Sequence, residues 1–179
     1  MKALISWPVI IAIVLLDVIT KNVATAVLVG GDSQQVIGDF VRFSLVYNPG
    51  AAFGLHLGAY SRWIFMSLTI GALLILWRLY RQTASHELLR TLAIALVSAG
   101  AIGNLIDRIA SERGVVDFID VGFGVHRWPI FNVADMAVSS GAFLLAYALW
   151  GEEHRQPAVE AHAVDRSGDV VESAVGDAK

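Results

Sequence analysis

Three short motifs carry the residues of this chain that could do chemistry: Gly103-Asn104-Leu105-Ile106-Asp107-Arg108, Val115-Val116-Asp117-Phe118-Ile119-Asp120 and Phe131-Asn132-Val133-Ala134-Asp135. Together they hold four aspartates, two asparagines and an arginine, set in or beside apolar runs. A carboxylate at the centre of a bilayer costs roughly 2.5–3.5 kcal/mol, so a membrane helix keeps one where it has a partner or a task. Asp135 stands out, because the run from Pro129 to Trp150 holds no other charge. Asp117 lies eighteen residues before it, at the far end of a loop that would join two antiparallel spans. Two carboxyl groups brought close cannot both ionise, so one keeps its proton. Such a pair offers a general base for water and a general acid for a carbonyl oxygen or a leaving amine.

Other uses of these residues must be weighed. Intramembrane Asp, Asn and Arg also form networks that only lock helices together, and Asp107 beside Arg108, with Asn104 one turn earlier, has that look. Asn132 and Asp135 share a helix face at i, i+3, and Ser139 follows at i+4. A lone serine there suits packing better than nucleophilic attack, since no G-x-S-x-G is present. The four aspartates with His126 could ligate a hard cation. No H-E-x-x-H occurs and the five histidines are scattered singly, so no metal is expected. A proton or ion pathway is the strongest rival, but it would place acids deep in several spans. Here the acids gather near one interface, which favours chemistry on something presented there.

The elements that must position these residues follow from composition. Apolar residues make up 56% of the 179, charged residues only 16%, and the mean hydropathy is +0.62. Soluble domains average about 25% charged residues, so this is a polytopic membrane protein. The net charge of −3 comes from the C-terminal end, where seven acidic residues after position 150 face Arg155, Arg166 and Lys179. No basic face suggests nucleic acid. With no cysteine, disulfides, thiolate metal sites and a cysteine nucleophile are excluded.

Four spans are expected, at about Leu4–Val29, Trp63–Tyr80, Leu88–Ile106 and Pro129–Trp150. The first resembles a signal peptide up to Ala24-Thr25-Ala26. Asp17 and Lys21 argue for an uncleaved helix, because they would sit where signal peptides are uncharged and can offset each other at i, i+4. Tyr60/Trp63 and Trp77/Tyr80 bracket the second span as interfacial aromatics do. In the third, Ala99 and Gly103 place small residues four apart for close helix approach. Between the first two spans, Val41, Phe43, Leu45 and Tyr47 alternate with Arg42, Ser44, Val46 and Asn48, the pattern of a half-buried strand. Asn48-Pro49-Gly50 then marks a turn. The fold class expected is therefore an all-α membrane protein of four transmembrane helices with a small extracytoplasmic β-rich segment at about 36–53. Residues 1–150 form the membrane domain, and 151–179 have the composition of a disordered acidic tail. Arg78, Arg81 and Arg90, with Lys2 and Arg155, put both termini in the cytoplasm by the positive-inside rule and the organising motifs at the outer face.

At this point the chain resembles a family, signal peptidase II, the prolipoprotein signal peptidase of bacteria. The likeness runs from Asp17 to Asp135 in order: Asp17-x-x-Thr20-Lys21, Asn48-x-Gly50-Ala51-Ala52-Phe53, Gly103-Asn104-x-x-Asp107-Arg108, Val116-Asp117-Phe118 and Phe131-Asn132-x-Ala134-Asp135. The resemblance implies an intramembrane aspartic endopeptidase with Asp117 and Asp135 as catalytic dyad and no metal or other cofactor. It implies that Asn48, Gly50, Asn104, Arg108 and Asn132 line or support the substrate site, and that Asp17, Lys21 and Asp107 support the polar network. The implied substrates are diacylglyceryl-modified prolipoproteins, cut just before the lipidated cysteine, with membrane lipid around them and no nucleic acid. A monomer in the bacterial cell (inner) membrane and inhibition by globomycin are implied too. Val18 stands where the family usually has glutamine, and Ala99 where it usually has glycine.

Overall fold

The computed structural model describes residues 2–28, 30–31, 33–50 and 58–150. Four helices in it are long and apolar enough to cross a membrane: α1 (Lys2–Val27), α2 (Ser61–Gln82), α3 (Leu88–Ala110) and α4 (Val133–Trp150). Their exposed surfaces are studded with large apolar side chains such as Leu4, Leu68, Leu74 and Phe143, as lipid-facing helices require. The most buried of the four is α3. It packs against α1 and α2, and α4 meets it through glycines. A methyl group on Gly100 would collide with the Ala134 carbonyl oxygen of α4. One on Gly103 would stand 2.5 Å from the Asp17 carboxylate of α1. Small residues thus let three backbones close around one point, with side-chain polar groups filling the space. Ala99 is fully buried as expected, but Gly100 makes the tighter approach to α4.

At one end of the bundle, Lys2 Nζ donates to the Tyr80 and Thr83 carbonyl oxygens at 2.8 and 2.9 Å, closing the C-terminus of α2. At the other end stands a four-stranded antiparallel sheet in the order β1-β2-β3-β4: β1 Gln34–Ile37, β2 Val41–Asn48, β3 Val115–Phe123 and β4 His126–Arg127. Ala24 and Leu28 at the end of α1 pack with Phe118 of β3, and Phe43, Leu45, Ile119 and Val133 close around them.

The fold class stands, with three corrections. Half of the strands come from residues 115–127, which the sequence suggested was a loop. Val115-Val116-Asp117-Phe118 lacks apolar/polar alternation because both faces are covered. The alternation in β2 breaks at a bulge, where Phe43 pairs with Ile119 but Val46 pairs with Asp117. The extra residue puts Asn48 on the Asp117 face, opposite to what strict period two implies. Finally, α4 begins at Val133 rather than Pro129. Ala51-Ala52-Phe53 and the acidic tail lie outside the described residues.

Candidate active site

Helix α4 starts in a way that itself builds half of the site. Asn132 is its N-cap, with Oδ1 accepting the Asp135 amide at 2.9 Å, while Asp135 Oδ2 accepts the Asn132 amide at 3.2 Å. This reciprocal exchange is a capping box with Asn and Asp in the usual Ser/Thr and Glu roles. It fixes the Asp135 carboxyl at the third helical position, in the first turn, where unpaired backbone amides favour negative charge. The other Asp135 oxygen accepts from Asn104 Nδ2 of α3 at 2.8 Å.

Asp117 approaches from the sheet. It is 3% exposed on β3, and its two oxygens accept from Asn132 Nδ2 at 2.7 Å and Asn48 Nδ2 at 3.1 Å. Burial pushes its carboxyl up to about 6, with the negative charge of Asp135 adding to the rise and the Asn48 and Asn132 hydrogen bonds opposing it. Asn132 therefore touches both acids at once, capping the helix of one and donating to the other.

Around the pair, Arg108 donates to the Gly50 carbonyl oxygen at 3.1 Å and to the Asn104 carbonyl oxygen at 3.2 Å, within electrostatic reach of Asp135, Asp107 and Asp117. Gly50 donates its amide to Asn48 Oδ1 at 3.0 Å, an Asx turn that holds Asn48 for Asp117. Lys21 pairs with Asp17 at 2.7 Å and with Asp107 at 2.9 Å, beneath Asn104. All ten residues singled out from the sequence thus belong to one connected set. Asp120 does not. It lies three residues along β3 and pairs with Arg127 at 2.5 Å.

Asp117, Asp135, Asn48, Asn104 and Arg108 line one cavity of about 960 Å³. Its other walls are Tyr47 and Pro49, the segment Trp128–Phe131, and Met136, Val138, Ser139 and Ser140 of α4. Sequence reasoning gave Trp128 no role, placed Pro129–Phe131 inside the fourth span, and so missed that Asn132-x-x-Asp135 is a helix start. It also gave no role to Arg62, whose guanidinium donates to the Arg108 and Ile109 carbonyl oxygens at 2.6 and 3.0 Å and caps α3. The capping pattern was available as a signal; the arginine's use was not.

Residues 9–151 match the family model described as signal peptidase (SPase) II. The chain belongs to the signal peptidase II family. Its relatives in that family include a lipoprotein signal peptidase of Burkholderia thailandensis, 39% identical over 137 residues, with 75% of this chain and 81% of that protein covered. Another from Cupriavidus taiwanensis is 42% identical over 137 residues, covering 74% and 75%. Among solved structures, a bacterial membrane enzyme determined by the in meso method at 2.3 Å superposes with a TM-score of 0.75 at 36% identity, covering 83% of this chain and 88% of the other. A second, at 1.9 Å, gives a TM-score of 0.71 at 36% identity over 80% and 91%. Within the signal peptidase II family, this member is a multi-pass membrane protein and a peptidase.

Proposed function

We propose that the chain is an intramembrane aspartic endopeptidase that removes the signal peptide from diacylglyceryl-modified prolipoproteins, cutting just before the lipidated cysteine. The observation that carries the reading is the pairing of Asp117 and Asp135 in one cavity, where each is held by amide donors. Family membership and the relatives' activity as lipoprotein signal peptidases support the substrate class.

In this mechanism the pair shares one proton. The ionised carboxylate takes a proton from water as the water oxygen attacks the scissile carbonyl carbon, and the protonated partner donates to the carbonyl oxygen. Collapse of the tetrahedral intermediate breaks the C–N bond, and the amine leaves with a proton returned by the acid that gained one. Asn48, Asn104 and Asn132 fix the two carboxyl groups, and the Arg108 guanidinium balances their charge. Substrate enters beside α4, where the cavity wall is Met136, Val138, Ser139 and Ser140, with the lipidated cysteine at the membrane surface. The enzyme acts as a monomer in the cell (inner) membrane, with both termini cytoplasmic and the sheet outside.

The test is cleavage of a lipidated model peptide by the purified protein and by Asp135→Asn. Cleavage before the lipidated cysteine by the first and none by the second is expected. Equal cleavage by both would sink the dyad.

A further inference from the structure

Behind the two acids lies a single lysine, buried in the bundle. Lys21 of α1 is 3% exposed. Its ammonium forms ion pairs with Asp17 at 2.7 Å and Asp107 at 2.9 Å and donates a hydrogen bond to Asn104 Oδ1 at 3.0 Å. Each of the two carboxylates also grips one backbone amide. Asp17 Oδ1 accepts from Ala134 N at 2.9 Å, and Asp107 Oδ2 accepts from Val116 N at 3.0 Å. Ala134 immediately precedes Asp135, and Val116 immediately precedes Asp117. The third acceptor, Asn104, donates to Asp135 and accepts from Asn132 at 3.2 Å. One cation on α1 thus reaches the backbone behind both acids by equivalent routes, through α1 itself and through α3.

We propose that Lys21 is a positioning residue that sets the separation of the Asp117 and Asp135 carboxyl groups by holding, through Asp17 and Asp107, the amide that precedes each. The proposal rests on the reading of Asp117 and Asp135 as the dyad. A balance between attraction to the ammonium and repulsion between the two acids sets their positions. Without the ammonium, the buried Asp17 and the partly buried Asp107 would repel each other, and Asp17 would lose its ion-pair partner. Any movement apart would drag Ala134 and Val116 with them, one from the helix and one from the sheet. Lys21 also acts on Asp117 directly, as one of the charges around it. The others are Asp135 on α4, Arg108 and Asp107 on α3, and Asp17 on α1, with the neutral amides of Asn48 and Asn132 in contact. Among these, the lysine lowers the proton affinity of Asp117.

The experiment compares the full-length protein with Lys21→Met in three measurements: kcat and KM on a lipidated peptide, the pH dependence of kcat/KM, and hydrogen exchange at the Val116 and Ala134 amides without substrate. A misplacement of about 1 Å costs on the order of 10²-fold, so kcat should fall by about that much with KM within about threefold. The pH at which activity is lost as the shared proton leaves should move upward, and both amides should exchange faster. Wild-type kcat in folded Lys21→Met, or a loss confined to KM, overturns the proposal. A lower melting temperature with kcat, pH dependence and amide exchange all unchanged overturns it as well. If Lys21→Met does not fold, Asp107→Asn decides, since it keeps an oxygen for the Val116 amide while losing the charge that binds Lys21. Faster exchange at Val116 with Ala134 still protected supports the clamp, and unchanged exchange at Val116 overturns it. Exchange is read without catalysis, so the clamp is testable even if Asp117→Asn cleaved normally and the dyad reading fell.

Discussion

Asp117 and Asp120 sit three residues apart on the same strand, both buried, and they live in opposite electrostatic company. Asp120 accepts from Arg127 Nε at 2.5 Å and from Ser44 at 3.4 Å, and Arg127 goes on to the Asp39 carbonyl oxygen at 3.0 Å. Asp117 takes its hydrogen bonds from the neutral amides of Asn48 and Asn132, and the largest charge effect on it comes from another acid, Asp135, with Lys21 and Arg108 acting from farther off. An odd spacing on a strand sends the two carboxyl groups to opposite faces, and each face supplies a different partner. A carboxylate matched to a guanidinium is held as an anion by charge-assisted bonds. One matched to amides and a second acid is left able to exchange a proton near neutrality. The lesson is that burial alone does not mark a reactive acid; what its oxygens are bonded to does.

The comparison breaks most visibly at the dyad. General acid–base groups contribute roughly 10²–10⁴-fold each, so Asp117→Asn and Asp135→Asn should each abolish detectable peptide cleavage. Because the two act as a unit, the double variant should be little worse. Full activity in either single variant would make Asp117 no different from Asp120.

A pH titration sharpens the contrast. The second proton leaves the pair as Asp117 ionises, so kcat/KM should fall as pH rises through about 6. Stability carries the same signature. Unfolded, the Asp117 carboxyl titrates near 3.8, and folded it keeps its proton up to about 6. Between those values the folded state binds more protons, so stability declines as pH rises through the window and stays reduced above it. Asp117→Asn removes this titration, so its melting temperature relative to wild type should rise by several degrees between pH 4 and pH 7.5, a change on the order of 2 kcal/mol. A difference that stays constant across that range would show that Asp117 does not hold a proton through it.

Asp120→Asn is the mirror experiment. It leaves Arg127 without its nearest anion, so melting temperature should drop by a few degrees while cleavage stays within about threefold of wild type. Loss of cleavage in a folded Asp120→Asn protein would join the two faces of the strand into one site. The smallest effect expected is none: a dyad of carboxyl groups needs no Lewis acid, so a chelator should leave the rate of purified enzyme unchanged. A rate lost to chelator and restored by one divalent ion would recast Asp107, Asp117 and Asp135 as ligands.

The four spans were legible because they rest on composition, and that Asp117 and Asp135 would face one cavity was legible because they are charges in costly places at the two ends of one connection. The strand that presents Asp117 was not, since a strand covered on both faces shows no alternation. The Asn48 orientation was hidden for a related reason: a one-residue bulge reverses the parity on which any period-two argument depends. Lys21 and Asp107 could be suspected of supporting the polar network, but their partners could not be read off. Val116 and Ala134 offer only backbone amides there, and the main chain is the same at every position.

The bond from Asp17 to the Ala134 amide joins the first span to the last, across 117 residues of chain. It has a consequence for biosynthesis. While α1 is being inserted, Asp17 already has Lys21 one turn away, so the helix enters the membrane as a neutral pair. The partners of that pair on α3 follow later in the chain, and the Ala134 amide arrives with α4, the same helix that brings Asp135. A nascent chain therefore carries no assembled pair of acids at any earlier stage. On the proposed reading, the competence to cut peptides therefore arrives with α4.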